Sequence, residues 1–526
     1  MPFSICVLIV LAVYGAGLSR DMSEPWVGMH DWNGAFFSQL ARNFLRYPSS
    51  IHHGMPVVAV GEAVPPPAER SIYATHPPGL VWLLAAAFGL VGEAEWVARL
   101  VPVVASLATL WLLVWLVSCS RGRQPSVLAG LIYATMPMAV YFGRMVDHEA
   151  LCLFGMMAAL ASWRCYACGR AGPTSRRWAA TGWMAAITFA IWIDWAGVVF
   201  AGVFCVFTLL QRRARLIRQR QLILAWAVPA IAGTAMVLYL VQAGLAGRWA
   251  DLVAIFLTRT TEVQGGEFAK DLSSGGGPLD YTLDNLTWPV IVLAVGGLAA
   301  SLRRGRDQKS RAGASRPFLE DGLWTIGVTG MLWVAVFWRQ FERHNYWLFY
   351  CGPTMAIYAG IAVDRLRRLA ALSTRAGDVL CVIVLLAVVG WGLRTTDAYF
   401  QRRSYPQEDV IAWREIHDRR TRSGDRVLLY RNPVRVEQRG GYRFRNLVPP
   451  QMAYYLDQPF DVTADLEDLE RVAPDQAVFI IPLADAARTG GRLDRLRHRW
   501  KASIVGSQMV FDLRGCRSER GRAGPG

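Results

Sequence analysis

Eleven long, continuous apolar stretches limit what this chain can fold into. They lie at residues 3–18, 95–118, 125–143, 149–167, 178–193, 195–210, 221–243, 286–302, 321–338, 346–363 and 376–393. About 20 apolar residues in helix cross about 30 Å of hydrocarbon. In lipid only helices and closed barrels satisfy the backbone, and continuous rather than alternating runs select helices. Charged residues are 18% of the 526, against about a quarter in a soluble protein. The fold class is therefore an α-helical polytopic membrane protein with about 11 transmembrane helices. Residues 3–18 lack the basic flank and clear cleavage site of a signal peptide and read as a retained first span.

The formal charge of +16 raises nucleic acid as a partner, but its placement argues otherwise. Arg121 and Arg123, then Arg170, Arg176 and Arg177, then Arg212 to Arg220, Arg303 to Arg316 and Arg365 to Arg375 occupy every second loop. That is the positive-inside pattern, so these loops are expected in the cytoplasm and no nucleic acid is implied. The apolar stretch 77–92 is short, and counting it as a crossing would break the alternation. It reads as interfacial or re-entrant.

The outward segments are then 19–94, 144–148, the turn at Asp194, 244–285, 339–345 and everything after about 394. In the first, Ala35, Phe36, Phe37, Leu40, Ala41, Phe44 and Leu45 recur at helical spacing, with Ser38, Gln39, Arg42, Asn43 and Arg46 between them. This predicts an amphipathic helix on the membrane surface. The polar stretch 248–285, with Glu262, Glu267, Lys270 and Asp271, reads as a surface loop or a lid. Past residue 400 charged residues become common. Strands are expected at 425–430, 476–481 and 502–513 and helices at 406–419, 464–472 and 484–499, a small C-terminal α/β soluble domain. The expected organisation is a membrane domain 1–395, an extracytoplasmic domain 396–514 and a disordered tail 515–526.

Ionisable side chains gather on the outward face. Asp31 precedes the amphipathic helix, where an Asp also serves as an N-cap. His76 ends the same loop. Arg144, Asp147, His148 and Glu149 open the fourth span, Asp194 separates two apolar runs, and Arg339, Glu342, Arg343, His344 and Tyr346 lead into the tenth. Ionisable groups at membrane depth are costly and mark function. The nine Cys lie mostly in or beside apolar runs, and the one C-x-x-C, Cys165 and Cys168, sits at a helix end, where a structural role is the simpler reading. The adjacent His52 and His53 do not share a helix face and read as a solvated loop.

The order of these residues matches a family: Asp31 before an amphipathic helix; Tyr73-Ala74-Thr75-His76-Pro77-Pro78-Gly79-Leu80; Phe88-Gly89-Leu90-Val91-Gly92; Glu95-Trp96-Val97-Ala98-Arg99-Leu100; Pro137, Arg144 and Asp147; Asp194-Trp195; and Tyr346 through Pro353. Over roughly residues 1–395 the chain resembles the GT-C class of membrane glycosyltransferases that use polyprenyl-phosphate sugars. That class includes the lipid A aminoarabinose transferases and the protein O-mannosyltransferases of glycosyltransferase family 39. The resemblance implies a catalytic carboxylate at Asp31 and a second acid at Asp147. This sequence departs from the pattern in two places. Trp32-Asn33-Gly34 follows Asp31 where relatives carry Glu and a basic residue, and His76 stands where relatives often carry Lys. Donor-phosphate binding is accordingly expected from His76, Arg144, Arg339 and Arg343, and substrate binding from Asp194, Glu149, His344 and Tyr346.

The expected partners are a polyprenyl-phosphate-linked sugar, a glycan, lipid or protein acceptor, and membrane lipids. The expected location is the inner (plasma) membrane. A divalent metal, Mg or Mn, on the outward Asp residues is an alternative that carboxylate chemistry permits. A transporter would bring internal repeats and mid-membrane charges, neither of which is evident. A non-catalytic scaffold presenting the C-terminal domain is the remaining alternative.

Overall fold

A computed structural model describes residues 2–67, 70–167, 173–241, 278–308, 322–338, 341, 344–368, 374–423, 425–430, 449–463, 477–486 and 491–514. Arg339, Glu342, Arg343, Cys168, most of the polar stretch 248–285, the helix expected at 464–472 and the tail 515–526 lie outside the described residues. The chain divides into two compact units. One comprises Met1–Met22, Ala74–Leu83 and Trp96–Arg402, the other Ser23–Tyr73, Leu84–Glu95 and Arg403–Gly526.

The described α-helices of six residues or more are α1 (Phe3–Leu18), α2 (Asp31–Arg46), α3 (Gly79–Val91), α4 (Glu95–Arg121), α5 (Arg123–Thr135), α6 (Pro137–Phe142), α7 (His148–Ala167), α8 (Pro173–Ile193), α9 (Trp195–Arg213), α10 (Gln219–Leu240), α11 (Pro278–Leu286), α12 (Trp288–Gln308), α13 (Trp324–Val336), α14 (Gly352–Arg367), α15 (Thr374–Gln401), α16 (Gln407–Arg420), α17 (Pro450–Leu456) and α18 (Gly491–Arg499). The chain is a multi-pass membrane protein. Among the described residues six segments are long and apolar enough to cross a membrane, seven if the bent pair α11–α12 makes one crossing. The count of 11 is not reproduced, because α1 and α13 are shorter apolar helices and others of the expected spans are interrupted. The 125–143 run breaks at Met136, where Pro137 removes a backbone donor and starts α6 afresh. The 346–363 run begins as a 3₁₀ helix, Asn345–Cys351, before α14. At Thr287, with φ of 63°, α11 and α12 meet at 84°. α3 is apolar but only 13 residues long, short of the length a crossing needs.

In the second unit the strands are β1 (Val57–Val58), β2 (Ser71–Ile72), β3 (Val427–Tyr430), β4 (Phe460–Thr463), β5 (Val478–Pro482), β6 (Lys501–Val505) and β7 (Gln508–Asp512). β1 and β2 form a small antiparallel pair. The others form one sheet in the order β4-β3-β5-β7-β6, parallel across β4-β3-β5 and antiparallel across β5-β7-β6. The strand expected over 502–513 is a hairpin, because Gly506, at φ of 55°, turns the chain between β6 and β7. Alternate residues Phe479, Ile481, Met509 and Phe511 build a core with Leu493 and Leu496 of α18 and with Trp500. This is the period-2 against period-3.6 match that seals one sheet face with a helix. α16 packs on β6 and β7 through buried residues that include Ala412 and Trp413.

α2 is not the surface helix its pattern suggests. Phe36, Phe37, Leu40 and Ala41 are buried, and so are Ser38, Gln39 and Asn43 on the polar side. The polar stripe bonds to protein groups of the same unit, so the helix has two buried faces and its amphipathic pattern separates two kinds of protein contact.

Candidate active site

The buried polar cluster of the first unit forms where three helix ends interrupt apolar runs. α8 stops at Ile193, and Asp194 adopts an extended conformation before α9 begins at Trp195. The loop before α3 is laid on this turn. The Trp195 indole Nε1 donates to the Thr75 carbonyl at 2.8 Å. Gly79 packs so closely that a Cβ there would meet the Trp192 carbonyl oxygen at 2.5 Å and Ile193 Cδ1 at 2.9 Å. This fixes His76, between Thr75 and Gly79, against the start of α7. The His76 and His148 rings stack with centroids 4.4 Å apart and planes 19° from parallel.

Asp147 Oδ1 accepts from both the backbone amide and the ring Nδ1 of His148, each at 2.8 Å. A carboxylate only accepts, so this contact sets the proton on Nδ1 of His148. Asp147 is 6% exposed, Glu149 4% and Asp194 2%. Glu149 lies within electrostatic reach of both Asp147 and Asp194, and Asp194 within reach of His148. The Tyr350 hydroxyl, from the 3₁₀ helix, donates to Asp194 Oδ2 at 2.9 Å. Asp194 Oδ1 and Glu149 Oε2 are buried with no hydrogen-bond partner. A buried carboxylate oxygen without a donor costs free energy, and two such atoms in one cluster mark a place for a ligand carrying donors.

The remaining expected site residues fall as follows. Arg144 is buried, its guanidinium bonded to the carbonyls of Arg20 and Asp21, the latter at 3.0 Å, and lying 5.1 Å over the Phe400 ring. His344 Nδ1 and Tyr346 hydroxyl are 2.6 Å apart, and the His344 ring stacks on Trp347 at 4.6 Å. Tyr346 packs against Phe142 of α6. Asp31 belongs to the second unit, at the first position of α2, after His30 with φ of 63°. Its Oδ2 accepts from the Gly28 amide at 2.9 Å, reaching back along the loop that precedes the helix. Among the described residues no group of three or more His, Cys, Asp or Glu side chains is disposed to hold a metal ion.

Two members of the cluster were not singled out as site residues in the sequence. His148 carries no signal of its own in the sequence beyond its place beside Asp147. Tyr350 was hidden in an apolar run, although it follows Tyr346 by four positions.

A family model described as dolichyl-phosphate-mannose-protein mannosyltransferase matches residues 75–258. The match opens one residue before His76 and includes Asp147, His148, Glu149 and Asp194. No curated protein matches the chain in sequence. Among solved structures, ArnT from Cupriavidus metallidurans bound to undecaprenyl phosphate is similar with a TM-score of 0.61 at 16% identity, covering 97% of each chain. The archaeal oligosaccharyltransferase AglB from Archaeoglobus fulgidus, in complex with an inhibitory peptide and a dolichol-phosphate, is similar with a TM-score of 0.58 at 11% identity, covering 95% of this chain and 74% of that one. At these identities the likeness is one of fold, and the fold is the GT-C fold.

Proposed function

We propose that this chain is a membrane glycosyltransferase that moves a sugar from a polyprenyl-phosphate donor to an acceptor hydroxyl on the outer face of the inner membrane. The observation that carries this reading is the buried cluster of His76, Asp147, His148, Glu149, Asp194 and Tyr350. It leaves two carboxylate oxygens for a ligand rich in hydroxyl donors, and all of its members except Tyr350 fall inside the residues matched by a mannosyltransferase family model. Similar structures carry a polyprenyl or dolichyl phosphate by their own descriptions, which supports the same class of donor here.

In the proposed reaction the acceptor oxygen bonds to the anomeric carbon as the bond from that carbon to the phosphate oxygen breaks, with inversion. The acceptor proton passes to the Asp31 carboxylate, and the electron pair leaves on polyprenyl phosphate. Phosphate is a good leaving group, so no strong general acid is needed, and one positioned base suffices. Cationic groups stabilise the charge that develops on the phosphate. His76, Arg144, Arg339 and Arg343 are assigned that role. Asp147 orients His148, while Asp194, Glu149, His344 and Tyr346 bind the hydroxyls of the substrates. The described donor set does not close a three-ligand metal site, and no step is assigned to a metal. The positive-inside pattern of the Arg-rich loops supports a cytoplasm on the opposite face, and the C-terminal α/β domain is extracytoplasmic in this reading.

The test is release of polyprenyl phosphate and capture of labelled sugar by acceptor, using the purified chain in nanodiscs with lipid-linked sugars extracted from the producing membranes. Asp31→Asn and Asp194→Asn are each expected to lower turnover by 2 to 4 orders of magnitude (about 3–5 kcal/mol) while the protein still inserts. Full activity of Asp31→Asn removes it as the base, and uptake of free solute by sealed vesicles in place of transfer replaces the enzyme reading with a transporter.

A further inference from the structure

Residues Tyr455 and Asp457, at the end of α17, hold the segment that carries Asp31 on both of its sides. On the helix side, Gln39, Arg42, Asn43 and Arg46 are spaced i, i+3, i+4, i+7 and form one stripe along α2. Three of the four converge on a single carboxylate. Asp457 Oδ1 accepts from Gln39 at 3.2 Å and from the Gly61 amide at 3.1 Å. Asp457 Oδ2 pairs with Arg46 at 2.9 Å and with Arg42 at 3.2 Å. Asn43 donates instead to the carbonyls of Val57 and Ala59, each at 2.9 Å. Arg42 also forks onto Glu93 at 2.8 and 2.9 Å. Asp457 is 5% exposed and left-handed, with φ of 41°, where it closes α17.

On the loop side, the Trp26 amide donates to the Tyr455 hydroxyl at 2.9 Å, and that hydroxyl donates to Glu95 at 2.8 Å. The Ser404 amide donates to the Val27 carbonyl at 2.8 Å, and Gly28 bridges to Arg403. Gly28 in turn donates to Asp31. The loop and the helix that meet at Asp31 are therefore each fixed to residues more than 370 positions later in the chain. Cations paired with a buried carboxylate in bidentate geometry supply rigidity that surface pairs do not.

We propose that Asp457 is a positioning residue for the sugar transfer: through Arg42 and Arg46 it sets the placement of α2 and so of the Asp31 carboxylate, and Tyr455 does the same from the loop side. The C-terminal α/β domain is then part of the catalytic machinery and not an appended module. This rests on Asp31 acting as the base in the reading above.

The experiment uses the full-length chain in nanodiscs and reads two things: release of undecaprenyl phosphate from extracted lipid-linked sugar, and hydrogen exchange at residues 28–34. Asp457→Asn is expected to lower kcat about 10–100-fold with KM for the lipid donor unchanged, since ångström-scale misplacement of a reacting group costs about that much. Asp457→Glu is expected to restore part of the loss. Asp461→Asn, which removes the carboxylate that pairs with Arg426 on β4, keeps the parent kcat. Exchange at 28–34 is expected to speed up in Asp457→Asn. If Asp457→Asn fails to insert, Tyr455→Phe, which keeps the ring and removes the hydroxyl, is expected to give the same kcat loss and faster exchange. A parent kcat in either folded variant, or a change in KM alone, overturns the proposal. Faster exchange with no transfer by the parent protein would instead leave the clamp standing and bring down the glycosyltransferase reading.

Discussion

Tyr350 and Asp194 lie 156 residues apart in sequence and share a buried hydrogen bond of 2.9 Å, while the other oxygen of the same carboxylate has no partner. One donor thus holds the carboxylate in place and leaves its second oxygen for whatever enters the cluster. Tyr350→Phe deletes that donor from a buried carboxyl. It is expected to destabilise the protein by about 1–3 kcal/mol and to lower kcat/KM of transfer at least about tenfold. Thermal unfolding in nanodiscs and transfer kinetics check the two effects. An unchanged unfolding temperature would mean that Asp194 finds another donor.

His76 comes to the cluster from the loop before α3, and its ring stacks on His148. If it binds the donor phosphate, His76→Ala raises KM for the lipid donor about tenfold (about 1.4 kcal/mol) and moves kcat little. Titrating transfer rate against lipid-linked sugar separates the two. A fall in kcat at constant KM would assign His76 to the transition state or to orienting His148.

Gly79 sits where a side chain has no room. The obstacle is the Trp192 backbone, which cannot rotate away as a side-chain tip would. Gly79→Ala is expected to push the 75–79 loop off the Asp194 turn, at a cost of about 1–3 kcal/mol. The expected signature is a lower unfolding temperature together with loss of transfer, whereas Gly202→Ala, where a Cβ meets nothing within 4 Å, changes neither.

The Asp457 carboxyl gives the second unit a pH dependence with a definite sign. Burial alone would raise it, but Arg42, Arg46 and the Gly61 amide outweigh burial and hold it below the ordinary carboxylate value. The unfolded chain therefore binds the proton more readily. The stabilisation is fully present above the ordinary value of about 4 and is lost as pH falls through the lower folded value. Unfolding temperature is expected to fall more steeply below about pH 4 in the parent protein than in Asp457→Asn. Parallel curves would show that the pair contributes no net stability.

The sequence carried the membrane helices and the outward gathering of Asp147, Glu149 and Asp194, because continuous apolar runs and interrupting charges are local signals. It did not carry their connections. The donor that holds Asp194 lies in another apolar run, and nothing near Asp194 announces it. The break before Pro137 was readable in principle, but hydropathy runs straight through it. The 84° bend at Thr287 is marked by Pro289 in the first turn of α12, but hydropathy does not give its angle. α2 is the clearest case. Its two-sided pattern fits a helix between water and lipid just as well as a helix between an apolar core and a buried carboxylate. The residue that decides between them, Asp457, is more than 400 positions away.

That separation has a consequence in time. Arg46 emerges from the ribosome 411 residues before Asp457, its carboxylate partner. At roughly 5–20 residues per second, Arg46 waits about 20–80 s for that carboxylate. Throughout that interval a nascent chain is unfinished at its N-terminal end rather than at the end still being made. A transcript cut short before residue 457 yields a protein whose described membrane helices are present and whose α2 keeps Glu93 for Arg42 but lacks the carboxylate that Arg46 closes on.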